Sequence, residues 1–184
     1  LQGRHGKLNL LVVGGSLGAL ALNETVPAAI ARMTPQERPR VMHQVGRGKL
    51  ETTRQQYQQM GLHADCMEFI EDMASAYAWA DLVICRAGAM TVADIAAAGV
   101  VAVFVPYPYA IYDHQTLNAR FLSDQEAAFL MPQEQFTAER LSALLAELTE
   151  DRPRLLELSL RARQSALPDA TRKVADICNE VMHA

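Results

Sequence analysis

The chain has 184 residues, 50% of them hydrophobic, with 21 acidic against 17 Lys and Arg residues and a formal net charge of -4. That length suits one compact domain, about 100–200 residues being usual, and the negative balance excludes a globally basic surface for nucleic acid. No apolar run approaches the ~20 residues that span a bilayer, and the start carries no signal core, so the chain is expected to be soluble.

The first apolar run, 8–13, reads as a strand, and it leads into Gly14-Gly15-Ser16-Leu17-Gly18. A helical stretch over 18–33 follows, and Pro27 inside it is expected to kink it or start a second helix. Strands are then predicted at 41–45, 65–69, 81–85, 101–105 and 127–131, separated by helices near 48–60, 73–79, 90–98 and 113–123. Beyond them Leu141, Leu144, Leu145 and Leu148 have the spacing of a buried helix face, with Thr137 as N-cap. Two more helices are expected near 153–164 and 170–182, parted at Pro168-Asp169, and Arg161, Arg163, Arg172 and Lys173 read as a solvated helix face. The alternation predicts an α/β fold: a Rossmann-like, doubly wound, mostly parallel six-stranded sheet with helices on both faces. The C-terminal helices, about 137–184, would pack on or beside it. Cys66, Cys85 and Cys178 are widely spaced without metal-site pairing, and fit buried reduced thiols in a cytosolic setting.

In such a sheet ligands bind beyond the carboxyl ends of the strands. Three loops fall there. The first, Gly14 to Gly18, precedes a helix whose free N–H groups suit an anion; a plain tight turn explains it equally well. It lacks the G-x-G-x-x-G spacing and the strand-end acid of a dinucleotide site, since the second strand ends His43-Gln44-Val45, and it lacks the Gly-Lys-Ser/Thr of a P-loop. The second, Cys85-Arg86-Ala87-Gly88-Ala89-Met90-Thr91, also runs into a helix, so two helix N-termini would face one crevice and hold a diphosphate. Asp94 follows one turn later, either to meet sugar hydroxyls or as a first-turn acid complementing the helix dipole. The third runs from Pro106 through Tyr107, Tyr109 and Tyr112 to Asp113, His114, Gln115 and Asn118. His114 and Asn118 share a helix face at i, i+4, which suits a hexose, although capping by Asp113 with a solvated polar face also accounts for them.

Several segments occur in a fixed order: Gly14-Gly15-Ser16, Glu68-Phe69-Ile70-Glu71-Asp72-Met73, Ala76-Tyr77-Ala78-Trp79-Ala80-Asp81, Arg86-Ala87-Gly88-Ala89-Met90-Thr91-Val92 and Asp113-His114-Gln115-Thr116-Leu117-Asn118. Together, from about Lys7 to the last helix, they resemble the C-terminal half of the MurG family, bacterial glycosyltransferases that add GlcNAc to lipid I to make the peptidoglycan precursor lipid II. The resemblance implies that residues 1–184 are the UDP-GlcNAc-binding half of a GT-B enzyme. The other half would bind the lipid I acceptor and the cytoplasmic face of the membrane; it is absent from this chain, which starts without Met. No cofactor, metal or nucleic acid is implied, and the proposed general base would lie in the missing half. By position, Gly14, Gly15, Ser16 and Gly18 would face the diphosphate, Ile70 the uracil with Met73 nearby, and the N–H groups of Ala89, Met90 and Thr91 the α-phosphate. Asp94 would hold the ribose, and His114, Gln115 and Asn118 would read the GlcNAc hydroxyls. The sequence departs from the family at Leu17, usually Gln, and at Asp94, usually Glu. Another UDP-sugar-dependent GT-B enzyme, an epimerase and a non-catalytic nucleotide-binding module are the alternatives; an oxidoreductase is disfavoured by the missing dinucleotide pattern.

Overall fold

A computed structural model describes residues 1–182. Six parallel strands form one sheet: β1 (Asn9–Val13), β2 (Arg40–Gln44), β3 (Asp65–Met67), β4 (Leu82–Cys85), β5 (Val101–Phe104) and β6 (Phe129–Leu130). Their order is β3-β2-β1-β4-β5-β6, so the chain reverses its direction of travel across the sheet between β1 and β4. Every pairing is parallel, where the sequence predicts mostly parallel. Among the described residues eight α-helices connect or follow the strands: α1 (Leu20–Ala31), α2 (Leu50–Gln59), α3 (Met73–Trp79), α4 (Ala89–Ala98), α5 (His114–Ser123), α6 (Ala138–Glu150), α7 (Arg152–Gln164) and α8 (Ala170–Met182).

Alternate residues of a strand face opposite sides, and two cores result. Leu10, Val12, Leu82, Ile84, Val101 and Val103 meet α1, α2 and α6 on one face. On the other, Leu11, Val83, Cys85, Ala102 and Phe104 meet α3, α4 and α5. Right-handed crossovers require this division, since passing the switch point moves the helices to the other face. The i, i+3, i+4, i+7 leucines pack α6 as predicted, with Leu141, Leu145 and Leu148 fully buried and Leu144 at the margin. Thr137 caps α6 by accepting from the Arg140 N–H at 3.3 Å.

Helix α1 runs through Pro27 as one element, and no second helix starts there. Leu22, Val26, Ala29 and Ile30, all buried around Pro27, outweigh the roughly 3 kcal/mol that an interior proline costs. Buried polar groups fix α1 against its neighbours. The Asn23 amide donates to Val45 O, and its Oδ1 lies 3.1 Å from His43 Nε2, while His43 Nδ1 lies 3.0 Å from the Tyr57 hydroxyl. An amide oxygen only accepts, so His43 carries its proton on Nε2 and Tyr57 donates to Nδ1. Burial pushes the His43 pKa down to about 3 and keeps the ring neutral.

Arg163 is more than a solvated cation. Its guanidinium donates to Ala97 O at the end of α4, and Ser159 donates to Gly99 O, so α7 closes the C-terminus of α4. Arg161 stays exposed and pairs with Glu157 and Glu126. Cys66 and Cys85 are buried free thiols, whereas Cys178 is exposed on α8. Among the described residues no helix is long and apolar enough to cross a membrane.

Candidate functional site

The switch point sets the loops after β1 and β4 side by side. The first is held from below by β2. Gly14 N–H donates to Gln44 O at 3.1 Å, and Gly15 N–H to the Gln44 side chain at 3.2 Å. Gln44 thus occupies the strand end where a dinucleotide site would carry its acid, and it fastens the glycine loop instead. Gly18 N–H turns back onto Gly15 O. A Cβ on Gly18 would lie 2.2 Å from Val45 O, and one on Gly46 would lie 2.2 Å from Gly18 N. The glycines therefore let the loops after β1 and β2 touch backbone to backbone. The N–H groups of Gly14 and Gly15 are taken up by Gln44, and that of Gly18 by Gly15 O. The groups left facing outward are Ser16 and Leu17, both exposed, and the uncapped first turn of α1, which holds no acid.

Helix α4 begins at Ala89 after Gly88, with no side-chain cap and no acidic residue in its first turn. The N–H groups of Ala89, Met90 and Thr91 have no acceptor within the helix, and the terminus carries about half a positive charge. Asp94 is exposed in the second turn, so it does not serve the dipole as a first-turn acid. The starts of α1 and α4, on opposite faces of the sheet, each line a depression at this end of it.

The third loop is tied to the second. Gln115 Oε1 accepts from Tyr107 N–H at 2.9 Å and from Ala87 N–H at 3.3 Å, and the Asn118 amide donates to Ala87 O at 3.1 Å. Arg86 donates to Val105 O, Pro106 O and the Gln133 side chain, with its guanidinium 5.5 Å from the centre of the Tyr107 ring. Burial holds this guanidinium below its ordinary pKa. Ahead of α5, Tyr112 and Asp113 have left-handed φ of 53° and 52°. The Asp113 side chain does not cap α5; it accepts from the Thr116 hydroxyl at 2.7 Å.

Three depressions lie along α4 and beside the loops that lead into it. One of ≈ 550 Å³ is lined by Gly14, Gly18, Lys49, Arg86 and Gln115. A second of ≈ 550 Å³ joins Ala89, Asp94 and Asn118 to the apolar Leu117 and Phe121. A third of ≈ 420 Å³ lies between α3 and α4 and joins Met73, Tyr77 and Asp94. Ile70 and Met73 pack half-buried on the core beside it. Ser16, Met90 and His114 are exposed and line none of these three. Asp94 and Ala97 line both the second and the third depression, and of the two Asp94 carries the polar side chain. Among the described residues no His, Cys, Asp and Glu cluster forms a metal site.

Sequence reasoning missed the loop after β2. Gly46 and Gly48 both have positive φ, Arg47 N–H donates to Ser16 O, and Lys49 reaches the first depression. The signal was present as two glycines directly after a strand. It also missed the bracing by Gln44, Arg86 and Gln133, which no local motif announces.

A family model described as the glycosyltransferase family 28 C-terminal domain matches residues 9–177. The UDP-N-acetylglucosamine--N-acetylmuramyl-(pentapeptide) pyrophosphoryl-undecaprenol N-acetylglucosamine transferase of Bordetella petrii is 57% identical over 178 residues, covering 97% of this chain and 49% of that protein. The protein of the same name from Azoarcus sp. is 54% identical, over 97% of this chain and 50% of its own. The crystal structure of Acinetobacter baumannii MurG is similar with a TM-score of 0.88 and 46% identity, covering 95% of this chain and 52% of that one. The chain thus spans about half the length of the relatives it matches.

Proposed function

The chain belongs to the family of glycosyltransferase family 28 C-terminal domains, and from that premise we propose that it is the donor half of a UDP-GlcNAc transferase. The acceptor would be undecaprenyl-diphospho-muramoylpentapeptide, lipid I, and the product lipid II. The acceptor and the cytoplasmic membrane face belong to a second half, in keeping with relatives about twice this length. The observation that carries the donor role is the uncapped start of α4 at the switch point, flanked by Asp94, Gln115 and Asn118.

The diphosphate lies at the N–H groups of Ala89, Met90 and Thr91, with Ser16 on the glycine-loop side. Such amides are fixed before the ligand arrives, so they stabilise charge without reorganising. Ile70 meets the uracil through its backbone, which makes no backbone hydrogen bond among the described residues, and Met73 packs beside it. Asp94, standing between the depression at Met73 and that at Asn118, takes the ribose hydroxyls; being one methylene shorter than Glu, it reaches them from closer in or through water. His114, Gln115 and Asn118 take the sugar hydroxyls. In the reaction the acceptor hydroxyl attacks the anomeric carbon with inversion, the bond to the β-phosphate oxygen breaks, and UDP leaves carrying the charge that the α4 N-terminus stabilises. The base that accepts the hydroxyl proton is supplied by the second half, so this chain alone binds donor without turning over lipid I.

Calorimetry of the chain with UDP, UDP-GlcNAc, UDP-glucose and NAD tests the reading. Binding of the uridine nucleotides, with UDP-GlcNAc above UDP-glucose, is the result expected. Tighter binding of NAD than of any uridine nucleotide overturns it.

A further inference from the structure

We propose that Arg86 is a positioning residue of the donor site, which holds the sugar-reading amides in place without touching the nucleotide. The proposal rests on the donor reading above. Arg86 follows β4 directly and precedes the start of α4. Its Nη1 donates to Val105 O at 2.9 Å and Pro106 O at 3.0 Å, and its Nη2 to Gln133 Oε1 at 2.7 Å. All three acceptors are neutral, and among the described residues Arg86 has no ion pair with a carboxylate. The half-buried guanidinium thus joins the ends of β4 and β5 to the turn after β6. A planar fork with fixed donor directions can hold three acceptors at once; a lysine ammonium on a flexible stem cannot hold the same set in register.

The residues on either side of this fork are those that α5 grips. Ala87 N–H and Tyr107 N–H both donate to Gln115 Oε1, and Ala87 O accepts from Asn118 Nδ2. These backbone partners fix which way each amide points, because an N–H requires oxygen opposite it and a carbonyl requires nitrogen. Gln115 is therefore left with its NH2 as a donor to a ligand, and Asn118 with its Oδ1 as an acceptor. Arg86 keeps Tyr107 at the distance that holds Gln115 in this orientation. Loss of Arg86 frees the Tyr107 segment and lets the Gln115 amide turn over, so the sugar contact weakens. The diphosphate contact is made by helix N–H groups that do not depend on that segment.

The test compares Arg86→Lys, Arg86→Gln and Gln133→Leu with the parent chain, by calorimetry with UDP and UDP-GlcNAc and by amide hydrogen exchange without ligand. Both Arg86 variants are expected to bind UDP-GlcNAc about tenfold more weakly, the loss of roughly one hydrogen bond in a fixed site, with UDP changed less than about threefold. Gln133→Leu, which leaves Arg86 in place, shifts the UDP-GlcNAc to UDP ratio the same way by less. The Ala87 and Tyr107 amides exchange faster in all three. Parent-like binding by Arg86→Lys, with Arg86→Gln losing UDP and UDP-GlcNAc alike, overturns the proposal and makes Arg86 a phosphate contact. Unchanged exchange at Ala87 and Tyr107 overturns it too, and decides the matter from Gln133→Leu if the Arg86 variants do not fold. A parent chain that binds no uridine nucleotide defeats the donor reading, while the exchange result still judges the bracing.

Discussion

Alanine at Gly15, Gly18 and Gly46 separates a backbone preference from a steric contact. Gly15 has φ +80°, yet a Cβ there would meet nothing within 4 Å. Gly18 has a similar φ of +71°, but its Cβ would fall 2.2 Å from Val45 O and 3.3 Å from the Lys49 side chain. Holding an L-residue in the left-handed region costs roughly 1–2 kcal/mol, partly offset by the ~0.4–1 kcal/mol that alanine removes from unfolded-chain entropy. Gly15→Ala should therefore destabilise by about 0–1.6 kcal/mol. Gly18→Ala adds a clash that an ordinary C···O distance of about 3.3 Å relieves only if the loop moves by about 1 Å. Overpacking of that kind adds about 1–3 kcal/mol, which in a domain of this size lowers Tm by roughly 2–12 °C beyond Gly15→Ala. Gly46→Ala, with Gly18 N and Cα at 2.2 and 2.3 Å, belongs with Gly18→Ala. Thermal and urea unfolding read the stabilities, and calorimetry with UDP reads the site. Equal cost at Gly15 and Gly18 would refute the backbone contact between the two loops.

Asn118→Ala should weaken UDP-GlcNAc about tenfold and UDP much less, by calorimetry, and an equal loss for both would remove its sugar-reading role. His43→Phe should destabilise by about 2–3 kcal/mol, leaving Asn23 Oδ1 and the Tyr57 hydroxyl without their partner. The pH dependence follows from the lowered His43 pKa of about 3 against 6.5 when unfolded: parent stability is complete above pH 6.5 and falls as the pH drops towards 3, since the unfolded state takes up the proton first. The urea midpoint of His43→Phe should lack that slope between pH 6.5 and 4. Asp81→Asn should also destabilise. Burial raises this carboxyl, but hydrogen bonds from Asn9 N–H, Arg4 and Arg152 outweigh it and hold the pKa below its ordinary value. That contribution is present above the ordinary carboxylate range and lost as pH falls through the lowered value, and acid titration of unfolding checks it.

The fold was legible because its strands are short apolar runs such as Leu10-Leu11-Val12 and Leu82-Val83-Ile84, buried on both faces, and because helices of ordinary length separate them. Ends were less legible. β3 stops at Met67 rather than 69, where Glu68 leaves the ladder to accept from Gly48 N–H, and β6 keeps only Phe129 and Leu130 of the five residues expected. Pro27 misled, because a local rule about donors yields to packing on the sheet. At the site, the positions of Ala89, Met90 and Thr91 followed from a small-residue loop entering a helix. The role of the glycine loop did not, since its contact with Gly46 joins residues far apart in the chain. Arg86 was equally opaque: its partners Val105, Pro106 and Gln133 are 19 to 47 residues away.

The central claim is that the uncapped start of α4 receives the diphosphate of a uridine nucleotide sugar. Backbone amide NMR of the chain titrated with UDP-GlcNAc, UDP and uridine tests it most directly. The account predicts large shifts at Ala89, Met90 and Thr91 with the first two ligands, near-absence of those shifts with uridine, and added shifts at Gln115 and Asn118 with UDP-GlcNAc alone. Shifts at Ala89 to Thr91 that are equal for uridine and UDP, or absent for both nucleotides while binding occurs elsewhere, would contradict it.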